Sequence, residues 1–373
     1  MHTKIVKFDP AKPDVAKIKE AAALLDAGEL VVFPTETVYG IACRVKTDSL
    51  IKLNKLKGRT SEKYYTLHIG EKNDVKKYVP SIGLRAQKLI ENAWPGPLTI
   101  VFELDSQDLA QQRNNFDEEV FENLYRNSSI GIRCPDNSIA SLLLKLTNNP
   151  VVAPSANIKG QPPATDPEQV LSQLSGQIKL LLDAGPCKHK ISSTVVKIGK
   201  KNLEILRPGV YSQSDLKALS EVKILFVCTG NTCRSPMAEG IFRKYLAEKL
   251  GCGIDYLEEM GYKIYSAGTI GMVGFPASGE AVLSCAAKGI DIRSHISRAL
   301  TEQLIEESDF IFAMSPMHYE HITALSPKAA KKCELLAKDK SVPDPIGRGQ
   351  EVYNNCRDLI EKAVKEIIGR LVI

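Results

Sequence analysis

The run Cys228-Thr229-Gly230-Asn231-Thr232-Cys233-Arg234-Ser235 joins an apolar stretch, residues 222–227, to a helical pattern that reaches Leu246. A strand that ends on a thiol, followed by a helix that starts near an arginine, leaves a loop whose N–H groups converge on one point. Such a loop binds a tetrahedral oxyanion. The thiolate is the reactive form of Cys228, and the helix terminus, Arg234 and the Ser235 hydroxyl all favour it. In-line attack on a phosphoryl group would give a cysteinyl-phosphate while Arg234 clamps the equatorial oxygens in a bidentate way. Asp344, in Val342-Pro343-Asp344-Pro345, is the carboxylate assigned as general acid to the leaving group and then as base to the attacking water.

A second set of chemistry-bearing residues is scattered through the first half. It comprises Phe33-Pro34-Thr35-Glu36-Thr37-Val38-Tyr39-Gly40, residues 55–59, residues 93–99, Gly131-Ile132-Arg133, Ala153-Pro154-Ser155-Ala156-Asn157 and Arg207-Pro208-Gly209. Taken singly, each reads as a turn or an ion pair. Gathered around one sheet, their hydroxyls, amides and guanidinium groups suit a polyphosphate together with a small zwitterion.

The elements that must carry these residues are of the α/β kind. Val15, Ile18, Ala22 and Leu25 repeat at helical spacing ahead of Gly28, and the run 30–33 is a buried-strand signal. The strand leading to Cys228 suits a parallel sheet covered on both faces, and Pro236 suits a first helical position. With 373 residues, 43% hydrophobic and 25% charged, the chain can fill two cores. Polar, turn-forming residues between 211 and 222 mark the junction. The net charge of +5 comes from the first 215 residues, a surplus compatible with nucleotide or RNA ligands.

Nine cysteines without a C-x-x-C pair argue for a reducing compartment, and no apolar run reaches the roughly 20 residues of a membrane span. The N-terminal residues lack a signal-peptide layout, so a cytoplasmic location is expected. Apart from Cys228 and Cys233, the cysteines read as small hydrophobes. Cys233 reads either as a partner that forms a reversible disulfide with Cys228 or as filler. The charged stretch 105–127 reads as a surface insertion. His318 and His321 read as a solvated helix face, and no metal site is expected.

The phosphate loop, Ser266-Ala267-Gly268-Thr269, residues 289–298 and the Asp-Pro pair closely resemble the low-molecular-weight protein tyrosine phosphatase family over 223–373. This resemblance implies a central parallel sheet flanked by helices, with the phosphate cradled by Thr229, Gly230, Asn231, Thr232 and Cys233. Within that family the loop looks most like the bacterial protein-arginine phosphatases, in which a threonine stands where tyrosine-specific members usually carry isoleucine. Thr232 is then the specificity residue: a hydroxyl meets a polar guanidinium edge, whereas a β-branched apolar chain packs on a phenyl ring. Arsenate reductases share this fold but relay a disulfide through extra cysteines, and Cys285 stands alone in the relevant region.

The scattered segments closely resemble, in order, the YrdC family of threonylcarbamoyl-adenylate synthases over 10–212, with 213–222 as linker. That resemblance implies a twisted α/β sheet with an open cavity, which joins L-threonine, bicarbonate and ATP with Mg2+ for tRNA modification. Thr37, His68, Arg133 and Ser193 would hold threonine; Lys57, Arg59, Ser155, Asn157 and Arg207 would hold ATP. Thr60 departs from the proline usual after the Lys-x-Arg. The expectation is a bifunctional enzyme with small-molecule substrates, a phosphorylated protein substrate and tRNA or tRNA-modification proteins as partners. The alternative is a phosphotyrosine phosphatase carrying an RNA- or nucleotide-binding module.

Overall fold

The computed structural model describes residues 2–58, 65–199, 202–338 and 340–373. The chain divides into two compact units, Met1–Ser220 and Glu221–Ile373.

In the first unit the elements are β1 (Lys4–Lys7), α1 (Val15–Asp26), β2 (Val31–Phe33), β3 (Gly40–Arg44), α2 (Thr47–Lys57), β4 (Leu67–His68), α3 (Leu84–Ala93) and β5 (Leu98–Glu103). They continue as α4 (Ser106–Asn115), α5 (Glu118–Leu124), β6 (Ser129–Arg133), α6 (Ser138–Leu146), β7 (Val151–Val152), α7 (Pro167–Leu174), β8 (Leu180–Asp183), β9 (Thr194–Ile198), β10 (Leu203–Arg207) and α8 (Gln213–Leu219). The strands form a mixed sheet in the order β1-β8-β2-β3-β7-β4-β6-β5-β9-β10. Pairs β1/β8, β2/β8, β4/β6 and β5/β9 are parallel.

Continuous apolar runs such as Val31-Val32-Phe33 follow from helices covering both faces. Val31 and Phe33 join Ile18, Leu25, Ile139 and Leu143 of α1 and α6 in one core, while Val32 joins Ile41 and Leu53 in the other. Asp14 caps α1 by accepting from the Ala16 and Lys17 amides, and Gly28, at φ +86°, turns the chain out of it.

Two stretches differ from their sequence reading. Residues 105–127, read as a surface insertion, form two short helices, α4 and α5, whose Val120, Phe121 and Leu124, with Tyr125, are buried in the core. Residues 213–219, read as linker, form α8. Ser212 and Asp215 close its N-terminus as a capping box, and Leu216 is fully buried in the first unit.

The second unit comprises β11 (Val222–Cys228), α9 (Arg234–Leu250), β12 (Tyr262–Gly268), α10 (Gly279–Ala286), α11 (Glu302–Glu307), β13 (Phe310–Ala313), α12 (Pro316–Leu325), β14 (Cys333–Leu335) and α13 (Gln350–Arg370). Its sheet, in the order β12-β11-β13-β14, is parallel throughout. Leu225 and Val227 pack with Ile305 and Ile322. Phe226 points the other way, with its ring centroid 5.4 Å from Phe242 of α9 and 5.3 Å from Phe312. Helix α9 begins at Arg234, two residues ahead of Pro236, so Arg234 and Ser235 sit in its first turn. Among the described residues no helix is long and apolar enough to cross a membrane.

Candidate functional site

In the second unit, β11 delivers Cys228 to the sheet's C-terminal edge and α9 starts six residues later. The sulfur sits among donors. The Asn231 backbone N–H donates to Cys228 Sγ at 3.2 Å, and Ser235 Oγ lies 3.0 Å away. Asn231, at φ +55°, takes a left-handed conformation that asparagine tolerates. Its Oδ1 accepts from the Arg298 amide at 2.9 Å, which fixes the amide orientation, so Nδ2 donates to Ser235 Oγ at 2.9 Å and Ser266 Oγ at 2.8 Å. With Ser235 Oγ thus accepting, its own proton is directed at the Cys228 sulfur. His295 Nε2 lies 2.7 Å from the Asn231 carbonyl.

Strand β12 ends against this loop. A Cβ on Gly268 would stand 2.8 Å from the Thr229 carbonyl oxygen, so only glycine allows the approach. Gly230 faces Met272, whose Sδ would lie 3.4 Å from a Cβ there. Thr232 is half-buried; among the described residues its hydroxyl has only the Cys233 sulfur, at 3.6 Å.

Arg234 is buried. It donates to the Asp344 carboxylate, to Thr229 Oγ1 at 3.1 Å and to the Val342 carbonyl at 3.3 Å. Asp344 is 41% exposed beside it. Cys233 lies 3.3 Å from the Tyr353 hydroxyl and 3.4 Å from Ser278 Oγ. Burial pushes the Tyr353 phenol up to about 12. Burial likewise pushes the Cys285, Cys333 and Cys356 thiols up to about 12. Each of the nine cysteines carries a free thiol.

One sequence reading fails here. His318 does not lie on a solvated helix face: it is fully buried at the start of α12, and only His321 is exposed. The i, i+3 spacing gave no sign that the helix turns one histidine into the phosphate loop.

In the first unit the residues form two groups. Arg133, ending β6, pairs in register with His68 of β4 and with Thr99 of β5. Its Nη2 donates to Thr37 Oγ1 at 2.7 Å and to Glu36 Oε1 at 2.8 Å, a buried ion pair. Its buried Nε has no partner among the described residues. Thr99 Oγ1 lies 3.1 Å from Ser193 Oγ, and Arg207 Nη2 donates to Ser193 Oγ at 3.0 Å and to its carbonyl at 2.8 Å. Gly209 makes that approach: a Cβ there would stand 2.4 Å from the Ser192 oxygen. Burial, and then the Arg133 charge, hold Arg207 below the usual guanidinium range. Buried Arg133 has one carboxylate partner, Glu36, and the exposed Arg207 has none among the described residues, so the two guanidinium groups favour an anion beside them. Burial first, then Arg133, push the His68 imidazole down to about 3.

The second group is Lys57, Ser155 and Asn157. The buried Lys57 ammonium donates to the Ser155 carbonyl at 2.8 Å, to Asn157 Oδ1 at 3.0 Å and to the Asn157 carbonyl. All three of these acceptors lie on Ser155 and Asn157, so Lys57 holds the 155–157 turn in place. Ser155 Oγ donates to Asn157 Oδ1 at 2.6 Å. Arg207 stands with Ser193, not with this group. The segment 35–40 links the two groups, since the Ala156 amide donates to the Tyr39 carbonyl at 2.7 Å. Arg59 and Thr60 lie outside the described residues.

Glu36 and Thr99 stand within their quoted segments without a role in the sequence reading, which places His318 on a solvated face. A carboxylate inside the otherwise uncharged run 33–41 was the available signal for Glu36. No group of three or more His, Cys, Asp or Glu side chains arranged to hold a metal occurs among the described residues.

The Sua5/YciO/YrdC family model, described as "Telomere recombination", matches residues 23–209. The model described as "Low molecular weight phosphotyrosine protein phosphatase" matches residues 223–372. The chain is 33% identical over 204 residues to a threonylcarbamoyl-AMP synthase of Bacillus subtilis, covering 54% of this chain and 56% of that one. It therefore spans little more than half of that relative's length. It is 34% identical over 151 residues to the low molecular weight protein-tyrosine-phosphatase Etp of Escherichia coli K12, covering 40% of this chain and 93% of that one. A crystal structure of Pyrococcus abyssi Sua5 complexed with L-threonine covers 98% of both chains at a TM-score of 0.51 and 19% identity, a likeness of fold alone.

Proposed function

This chain belongs to the Sua5/YciO/YrdC family over residues 23–209 and to the low molecular weight phosphotyrosine protein phosphatase family over 223–372, and from that premise we propose that it joins two enzymes. The second unit hydrolyses a phosphorylated side chain through Cys228. The observation that carries this reading is the sulfur held by the Asn231 N–H and the Ser235 hydroxyl at the head of α9, with Arg234 in its first turn. The thiolate attacks phosphorus, the bond to the leaving group breaks, and Asp344 supplies the leaving atom's proton. Asp344 then takes a proton from the water that cleaves the S–P bond. Because a phosphoryl oxygen and Asp344 compete for one Arg234 N–H, substrate entry frees the carboxylate for that work.

The substrate is phosphoarginine. What supports this is the half-buried Thr232 hydroxyl, free of any oxygen or nitrogen partner among the described residues and so able to meet a guanidinium N–H. The test is kcat/KM of the full chain on phosphoarginine and phosphotyrosine peptides, alongside Thr232→Ile. Preference for phosphoarginine should fall by roughly 10- to 200-fold in the variant, as for loss of one contact group. A wild-type preference for phosphotyrosine would refute the substrate while leaving the mechanism standing.

The first unit makes threonylcarbamoyl-AMP from L-threonine, bicarbonate and ATP, releasing pyrophosphate and feeding tRNA modification. Arg133 takes the threonine carboxylate beside Thr37, His68 and Ser193. Ser155, Asn157 and Arg207, with Arg59, take the triphosphate, and Mg2+ travels with it on phosphate oxygens. Positioning and charge neutralisation carry the chemistry. The Arg133 guanidinium on Thr37 and the Arg207 guanidinium on Ser193, close enough that one charge lowers the other's pKa, support the reading. Threonine-dependent pyrophosphate release that Arg133→Gln suppresses tests it.

A further inference from the structure

We propose that His318, acting through Thr229, is a positioning residue that fixes the Arg234 guanidinium for the incoming phosphoryl group; the inference rests on the phosphatase reading above. Hydrogen-bond direction makes the case. Arginine is donor-only, so Thr229 Oγ1 accepts from Arg234 Nη2 at 3.1 Å. The Thr229 proton then points to its other neighbour, His318 Nε2, at 2.9 Å. Nε2 accepts, which leaves the imidazole proton on Nδ1, donated to Ser315 Oγ at 2.8 Å.

Each atom of the path from Arg234 through Thr229 and His318 to Ser315 thus has one role. A neutral ring is required, and burial, with the Arg234 charge behind it, pushes His318 down to about 4. Of the three acceptors that hold Arg234, Asp344 is the one that a phosphoryl oxygen replaces. Thr229 and Val342 are the uncharged pair that remain to set the guanidinium plane. Val342 offers a backbone oxygen that no side chain tunes. Thr229 is an adjustable anchor, and His318, fully buried 89 residues along the chain, decides which way its lone pairs face.

The test uses the full chain and inorganic phosphate as the probe of the loop. Thr229→Val keeps the shape and removes the acceptor; His318→Phe keeps the ring and removes the nitrogens; His318→Gln restores an amide oxygen toward Thr229. Loss of one hydrogen bond to a buried charge should weaken phosphate inhibition and lower kcat/KM by roughly 10- to 100-fold in the first two variants. The double variant should lose no more than either single one, because both cut one path. His318→Gln should recover most of the phosphate affinity, which a residue needed only for packing would not do. Phosphate affinity within about twofold of wild type in Thr229→Val and His318→Phe, or His318→Gln behaving like His318→Phe, would overturn the inference while the phosphatase reading stands. A wild-type chain that neither binds phosphate nor hydrolyses phosphopeptides would overturn both.

Discussion

Asn231 is the keystone of the phosphate loop, and replacing it separates backbone strain from side-chain bonding. Its buried side chain makes three hydrogen bonds, to Ser235 Oγ, Ser266 Oγ and the Arg298 amide, and its φ is +55°. Asn231→Ala removes three bonds worth about 1 kcal/mol each and leaves buried partners unpaired. It also gives up asparagine's tolerance of the left-handed region, which alanine lacks, at a further ~1 kcal/mol. The expected loss is about 4 kcal/mol for alanine, and about 1 kcal/mol less for glycine, which accepts that backbone. The assay is calorimetry of the full chain, following the transition whose midpoint rises with added phosphate. Loss of the Ser235 anchor should also lower kcat in both variants. An alanine variant destabilised by under about 1 kcal/mol, or a glycine variant worse than alanine, would refute the reasoning.

Lys57→Met should destabilise the first unit by about 3 kcal/mol, because three buried acceptors lose one ammonium, and should raise the KM for ATP by loosening Ser155 and Asn157; urea unfolding followed by Trp94 fluorescence measures the first effect. His68 is neutral in the folded unit down to about 3, while the unfolded chain protonates it near its ordinary value of 6.5. Its contribution is therefore fully present above that value and lost as pH falls toward 3, with a slope of up to ~1.4 kcal/mol per pH unit, and His68→Gln should flatten that limb in urea titrations. Asp344→Asn should lower kcat by roughly 10²- to 10⁴-fold without weakening phosphate inhibition, since the variant removes the proton donor and also the carboxylate that competes for Arg234.

The second unit's chemistry was legible because it is nearly contiguous: one strand, one loop and one helix start bring Cys228, Asn231, Arg234 and Ser235 together by chain geometry. His318 was not, since nothing local distinguishes a buried histidine in a helix's first turn from a solvated one. Only the parallel order β11-β13 carries the start of α12 to Thr229. The first unit's site was readable only through family resemblance, because its pairs span long separations: Arg133 to Glu36 across 97 residues and Lys57 to Asn157 across 100. Short helices were the other loss. Stretch 105–127 is mostly polar, yet Val120, Phe121 and Leu124 recur at helical spacing, and Ser212 with Asp215 spelled a capping box ahead of α8.

The central claim is that one chain carries two separate catalytic centres. The most direct test is to assay a single preparation of wild type and of Cys228→Ser for phosphopeptide hydrolysis and for threonine- and bicarbonate-dependent pyrophosphate release from Mg-ATP. Wild type should show both activities, with hydrolysis abolished and pyrophosphate release unchanged in the variant. Absence of pyrophosphate release from wild type, or hydrolysis that survives in Cys228→Ser, would contradict it.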